Sequence, residues 1–347
     1  MLLYNFLQKN SRYISVQLGI GGWQPFDAKY VAANRYGDCK ALTNYMYSLL
    51  KEAGIKSYYT LVKAGVGRNF FINDFPSSQF NHVILSVPML KDTMWLECTS
   101  QTLPAGYLSG FTSDRTALMV DENGGTIVKT PHYSMKDNLQ LRKIKAEIDP
   151  EGKLHTEVLT LYRARQEDEV HSLINTRSKD KVLDYLKEEI DLPNYDVVSY
   201  DYKEELSSLP SITENLKITA NDYAQVSGKR LFVCPNILSR VHRKLIPDES
   251  RKFDIDLSYE YTDVDSIDIN IPAGYTTESV PKDMQVESKF GSYSSSVKVE
   301  GGKILYYRIM KQYSGRFPAK EYNDLVKYSD QIYRADRAKL VFVKKEN

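Results

Sequence analysis

Three side chains in the N-terminal part of the chain have the types needed for nucleophilic chemistry. Cys39 lies in "NRYGDCKALTNYMYSLLKEAGI" (34–55), His82 in "FNHVILSVPML" (80–90) and Glu97 in "MWLECTS" (94–100). A cysteine attacks as its thiolate, so it needs a neighbour that favours negative charge. A histidine supplies that charge and later a proton, and a carboxylate fixes the imidazole. Cys39 stands where a loop becomes a helix. Residues 38–53 place Leu42, Tyr45, Met46, Leu49, Leu50 and Ala53 on one helical stripe. Asp38 is at the capping position and Gly54 where the helix stops. A sulfur in that first turn lies beside unpaired N–H groups and the positive end of the helix dipole. The dipole is worth about 1 kcal/mol, less than one pH unit, so a thiolate near neutrality calls for a second cation.

His82 is the candidate for that cation, and its relation to Glu97 follows from strand parity. Residues 80–90 and 94–100 read as two strands joined through Met89–Asp92. With a four-residue connection Pro88 opposes Thr93 and His82 opposes Thr99. Glu97 then falls on the His82 face, diagonal to it, whereas an odd change in the turn would move it to the other face. Taken singly, each residue has a plainer role. A cysteine on an apolar helix is usually core filler, a strand histidine is usually structural, and an acid after Trp-Leu is usually exposed. Their order and spacing together favour a site.

The elements that position these residues change character near residue 135. Before it helix and strand patterns alternate: the cysteine helix, a strand in "IKSYYTLVKAG" (55–65), the two strands above and a hairpin in "TALMVDENGGTIVKTP" (116–131). After residue 139 the texture is mostly β, beginning with two strands around Asp-Pro-Glu-Gly. A single long helical segment over 165–191 and a last helix near 319–336 interrupt it. Many short strands with regular turns predict a β-sandwich. The alternating acids of "DIDLSYEYTDVDSIDIN" read as solvent-facing strand positions; they lack the Gly and Glu of an EF-hand loop. The domains expected are 1–135 and 140–347, and the class is α+β.

The chain has 347 residues, enough for two domains, and a net charge of +1, which offers no electrostatic case for nucleic acid or an anionic membrane. No run is long enough for a membrane span. The first residues, "MLLYNFLQKNSRY", are not a signal peptide and read like the end of a helix, as if the chain began inside a domain. Three cysteines make no disulfide framework. Cys98 should point into the core opposite Glu97, Cys234 should be buried, and no disulfide is expected. The five histidines are scattered without HxxxH or HxH, and no metal or cofactor is expected.

Together "RYGDCKALTNYMYSLLKEAGI", "FNHVILSV" and "MWLECTS" resemble the transglutaminase-like superfamily of cysteine enzymes. There a Gly-Asp-Cys helix start, an Asn-His strand and a Trp-x-Asp-x-Thr strand supply cysteine, histidine and carboxylate. The upstream "RYISVQLGIGGWQPFDAKYVAANRYGDCK" and the later "GYLSGFTSDRTALMVDENGG" are similar to its bacterial branch. The tail from "IDINIPAGY" onward is similar to the β-rich domain of unknown function that follows this core in many secreted bacterial proteins. The resemblance implies a papain-like core followed by a mostly antiparallel β-sandwich domain with a few helices. It also implies a periplasmic or cell-envelope location and a further N-terminal β-domain absent from this chain. Two positions depart from the pattern: Glu97 replaces the usual Asp, and Ala41 stands where an Asp often follows the cysteine.

The chemistry so implied is acyl transfer on a peptide or protein amide. Cys39 attacks, His82 donates the proton to the departing amine and Glu97 holds the His82 tautomer. The Cys39 N–H and a side-chain donor would hold the oxyanion, with Gln24 as that donor and Trp23 and Gln17 behind it. The acceptor, amine or water, stays open. So does a different class, a catalytically silent scaffold or a cell-envelope module binding peptide or glycan.

Overall fold

The Asp38 carboxylate accepts a hydrogen bond from the Ala41 N–H at 3.0 Å and starts a helix at the residue after it. This helix is the third of the first unit in the computed structural model, which describes residues 1–16, 22, 24–65 and 71–345. The elements in order are α1 (Leu2–Asn10), β1 (Arg12–Tyr13), α2 (Ala28–Asn34), β2 (Tyr36–Gly37), α3 (Cys39–Glu52), β3 (Tyr58–Val62), β4 (His82–Pro88), β5 (Thr93–Leu96), β6 (Thr116–Asp121) and β7 (Gly124–Lys129). The last five form an antiparallel sheet in the order β5-β4-β3-β6-β7. Leu42, Met46 and Leu50 of α3 bury themselves among Leu85, Val87 and Leu96 on one sheet face. Each such side chain contributes about 1.5–3 kcal/mol, which docks the cysteine helix firmly. Val62, Ile84, Trp95 and Ala117 make a smaller core of opposite strand parity.

Gly37, just before the helix, is required by close packing. A Cβ built there would lie 2.8 Å from the Ala41 Cβ and 3.5 Å from Val31. Ala41 is fully buried, a small side chain packed against that glycine. Helix α2, which supplies Val31, has too short an apolar pattern to stand out in the sequence.

The second unit continues with β8 (Leu139–Ile148), β9 (Leu154–Arg163), α4 (Asp168–Thr176), α5 (Lys179–Glu189), β10 (Tyr195–Glu205), β11 (Ser211–Ala220), β12 (Gln225–Ser227), β13 (Arg230–Val233), β14 (Ile255–Leu257) and β15 (Tyr261–Asn270). After these come β16 (Tyr275–Ser279), β17 (Met284–Ser288), β18 (Gly291–Glu300), β19 (Lys303–Gln312), β20 (Gly315–Phe317), α6 (Tyr322–Ala335) and β21 (Leu340–Lys344). Contacts group Met1–Tyr133 with Glu205–Ser211, and Ser134–Glu204 with Ile212–Asn347. An eight-stranded sheet runs β10-β11-β9-β8-β15-β19-β18-β17 and a four-stranded one β12-β13-β21-β16. Side chains from both sheets share one core with Leu173 of α4 and Leu186 of α5. The chain is thus α+β, with a strand-rich second unit. The β8–β15 ladder of that unit is parallel, as is the short β1–β2 pair of the first.

Two expectations are corrected here. The helical segment over 165–191 is two helices, because the Ser178 hydroxyl accepts from the Lys181 N–H and caps a new start. The acids of β15 do not all face solvent. Asp268 is exposed, but Asp265 is fully buried, in phase with Ile267 and Ile269. Its register neighbours on either side are Arg142 of β8 and Arg308 of β19. Arg308 pairs with Asp265 at 3.0 Å and with Asp336 at 3.0 Å. Asp336 also accepts from Asn236, Tyr293 and the Val241 N–H.

Candidate active site

Two of the three predicted chemical residues meet directly. The hairpin has the register that parity requires, with Pro88 opposite Thr93 and Leu85 opposite Leu96. Glu97 follows β5 by one residue, and its side chain reaches the His82 ring. Nε2 of His82 donates to Glu97 Oε1 at 2.9 Å and lies 3.1 Å from Oε2. Both residues are buried, at 8% and 4% exposure, so the pair is shielded from water. The Thr99 hydroxyl donates to Oε1 at 2.5 Å and the Thr112 hydroxyl to Oε2 at 3.4 Å. The Tyr4 hydroxyl holds the Glu97 backbone carbonyl at 2.9 Å.

Cys39 stands half-buried at the first position of α3, and it lines the same cleft as His82. With Nε2 taken by Glu97, Nδ1 is the nitrogen available to the thiol. The electrostatics of the ring follow from its burial beside Glu97. Burial alone would depress the imidazolium. The Glu97 charge, with hydrogen bonding from the ring to Cys39 and Glu97 and the charge of Cys39, outweighs it, and the pKa of His82 is pushed up to about 9. The ring is therefore cationic at neutral pH.

Other side chains brace the elements around this pair. Asn81 braces the start of β4, accepting from the Ala64 N–H at 2.7 Å and donating to the Ala64 carbonyl at 3.0 Å. The Thr43 hydroxyl ties α3 to the Val83 carbonyl at 3.3 Å. Phe111 places its ring edge-on to His82, with centroids 5.2 Å apart. Thr99 sits inside the quoted third motif and was the readable signal. Thr112 and Phe111 come from an irregular loop with no periodicity to betray them.

Cys39 and His82 open onto a cleft of about 1640 Å³, whose walls include Tyr58, Tyr59, Phe80 and Phe111. That is larger than a usual small-molecule pocket. Gln17 and Trp23 lie outside the described residues. Gln24 is exposed, and its neighbours Gly22 and Pro25 line the cleft. The remaining cysteines are elsewhere. Cys98 is buried among the residues packed on α3, and Cys234 is buried in the second unit. Burial pushes both thiols up. All three cysteines are free.

Part of the chain has a family likeness, and nearly all of it has a likeness of fold. Residues 229–342 match the family described as a domain of unknown function with solved structure, DUF3858. No curated protein matches the sequence. Among solved structures, the chain is similar to a candidate protease from Parabacteroides distasonis ATCC 8503, with a TM-score of 0.52 and 10% identity. The superposition covers 99% of this chain and 51% of that one, so this chain spans about half that protein's length. At that identity the likeness is one of fold. No helix among the described residues is long and apolar enough to cross a membrane.

Proposed function

We propose that this chain is a cysteine acyl-transfer enzyme of the transglutaminase-like kind, with a papain-like core, acting on peptide or protein amides outside the cytoplasm. The observation that carries the reading is the buried His82–Glu97 pair at 2.9 Å, on a cleft that Cys39 also lines. A cationic imidazole beside a helix-start cysteine favours the thiolate. The thiolate attacks the amide carbonyl carbon. The oxyanion is met by the Cys39 N–H, which has no acceptor within its own helix, and by the Gln24 side chain. As the C–N bond breaks, His82 gives its proton to the departing amine and a thioester remains on Cys39. Water or a primary amine then attacks the thioester. His82 takes the proton of that nucleophile, the C–S bond breaks and the thiolate returns. Glu97 keeps Nε2 protonated throughout, so that Nδ1 faces the sulfur. The carboxylate does so despite its extra methylene, because Thr99 and Thr112 hold it.

The test is a product assay on glutamine-containing peptides with and without a labelled primary amine, read by mass spectrometry. Amine incorporation, deamidation or cleavage that disappears in Cys39→Ala supports acyl transfer and identifies the acceptor. Peptide binding that survives Cys39→Ala, with no product from the wild type, favours a binding module instead.

A further inference from the structure

The second unit holds a buried cluster that acyl transfer does not use. Glu167 immediately precedes α4, His171 lies one turn into it, and Glu204 reaches in from β10. We propose that Glu167, His171 and Glu204 form a binding site for a divalent transition-metal ion, with zinc the ion best matched to the donors. One ligand atom from each residue lies within 4.8 Å of the other two. His171 Nδ1 and Glu204 Oε1 are 2.7 Å apart. Zinc with bonds of about 2.0–2.1 Å holds tetrahedral donors roughly 3.3 Å apart, so this pair need open by only about 0.6 Å.

The observation that points to a ligand is Glu167 itself. It is 1% exposed, and its Oε1 has no hydrogen-bond partner. A buried polar oxygen is rarely left without a partner. His171 and Glu204 pair with each other, and an oxygen of the Glu167 carboxyl lies within 4.8 Å of both ligand atoms. Glu167 and His171 are four residues apart, which places them on one face of the helical turn. Asn175 is one turn further along. Its amide nitrogen lies 2.9 Å from Glu204 Oε1 and 3.4 Å from His171 Nδ1. Amide oxygen and nitrogen are interchangeable by a flip, so Asn175 can offer an oxygen as fourth donor. The Glu204 side chain is 25% exposed and gives the ion a way in. An imidazole with two carboxylates selects zinc or manganese over calcium, which takes six to eight oxygens. The sequence hid the site because Glu204 is 33 residues from His171 and no histidine pair announces it.

None of these donors is shared with Cys39, and the test removes that thiol. The full chain carrying Cys39→Ser is stripped with chelator and titrated with zinc by calorimetry, and the complex is examined by X-ray absorption. One zinc per chain is expected, with only nitrogen and oxygen at about 2.0–2.1 Å. Glu204→Gln, which keeps the side chain's size at a partly exposed position, should weaken binding at least about tenfold, and so should Glu167→Gln. No binding at micromolar zinc, a sulfur-containing shell, or affinity unchanged in both variants overturns the proposal.

Discussion

Replacing Glu97 with Gln keeps the size of the side chain and removes the charge that His82 faces. Its effect can be worked from the ring's surroundings. The pKa of His82 is held at about 9, against 6.5 for an ordinary histidine. The difference of about 2.5 pH units, at about 1.36 kcal/mol each, is worth roughly 3 kcal/mol in favour of the imidazolium. Burial is the strongest single influence and acts the other way; the Glu97 charge is the strongest of those that oppose it. Without that charge, burial faces only the Cys39 contributions, and the ring should titrate near or below about 6.5. The assay is NMR titration of the histidine Cε1–H signals, tractable with five histidines in the chain, run in a Cys39→Ser background as well as in wild type. Stability carries the same signature. A raised folded-state pKa contributes stability that is complete below pH 6.5 and is lost as pH rises through about 9. The wild type should therefore lose up to about 3 kcal/mol across that window, and Glu97→Gln should lose little there. A wild-type His82 that titrates near 6.5, or a value near 9 that persists in Glu97→Gln, would refute this reasoning.

Two further substitutions probe how the site and the fold are held. Gly37→Ala forces a Cβ to within 2.8 Å of Ala41, so α3 must shift at its first turn; Cys39 alkylation should slow at least several-fold while circular dichroism stays near wild type, and an unchanged rate would show that the tight approach is not needed. Asp336→Ala strands the fully buried Arg308 with one carboxylate and should destabilise the second unit by about 3–5 kcal/mol in chemical denaturation; a loss under about 1 kcal/mol would mean the network contributes little.

Much of the cleft was legible because it rests on local patterns. The helix of Cys39 follows from a stripe of apolar residues and the Asp38 cap. The face shared by His82 and Glu97 follows from an even turn length, which the Pro88–Thr93 register bears out. What the sequence concealed depends on partners far along the chain. Asp265 looks like one more solvent-facing acid until Arg142 and Arg308 are brought to its two sides, 123 residues before it and 43 after it. The break at Ser178 was readable as a cap, but the apolar spacing on both sides matched one continuous helix closely enough to mask it. Phe111 and Thr112 belong to a loop, where only tertiary structure decides what a side chain meets.

The central claim is that Cys39 is a nucleophile made reactive by His82, and alkylation at low pH tests it most directly. Iodoacetamide at pH 6, followed by peptide mass spectrometry, compares the three thiols within one sample. Cys39 should label rapidly, ahead of the buried Cys98 and Cys234, whose thiols burial pushes up. His82→Ala should slow Cys39 by at least tenfold at pH 6, since the helix start alone contributes only about 1 kcal/mol. A Cys39 that labels only above pH 8, and equally well without His82, would contradict that claim.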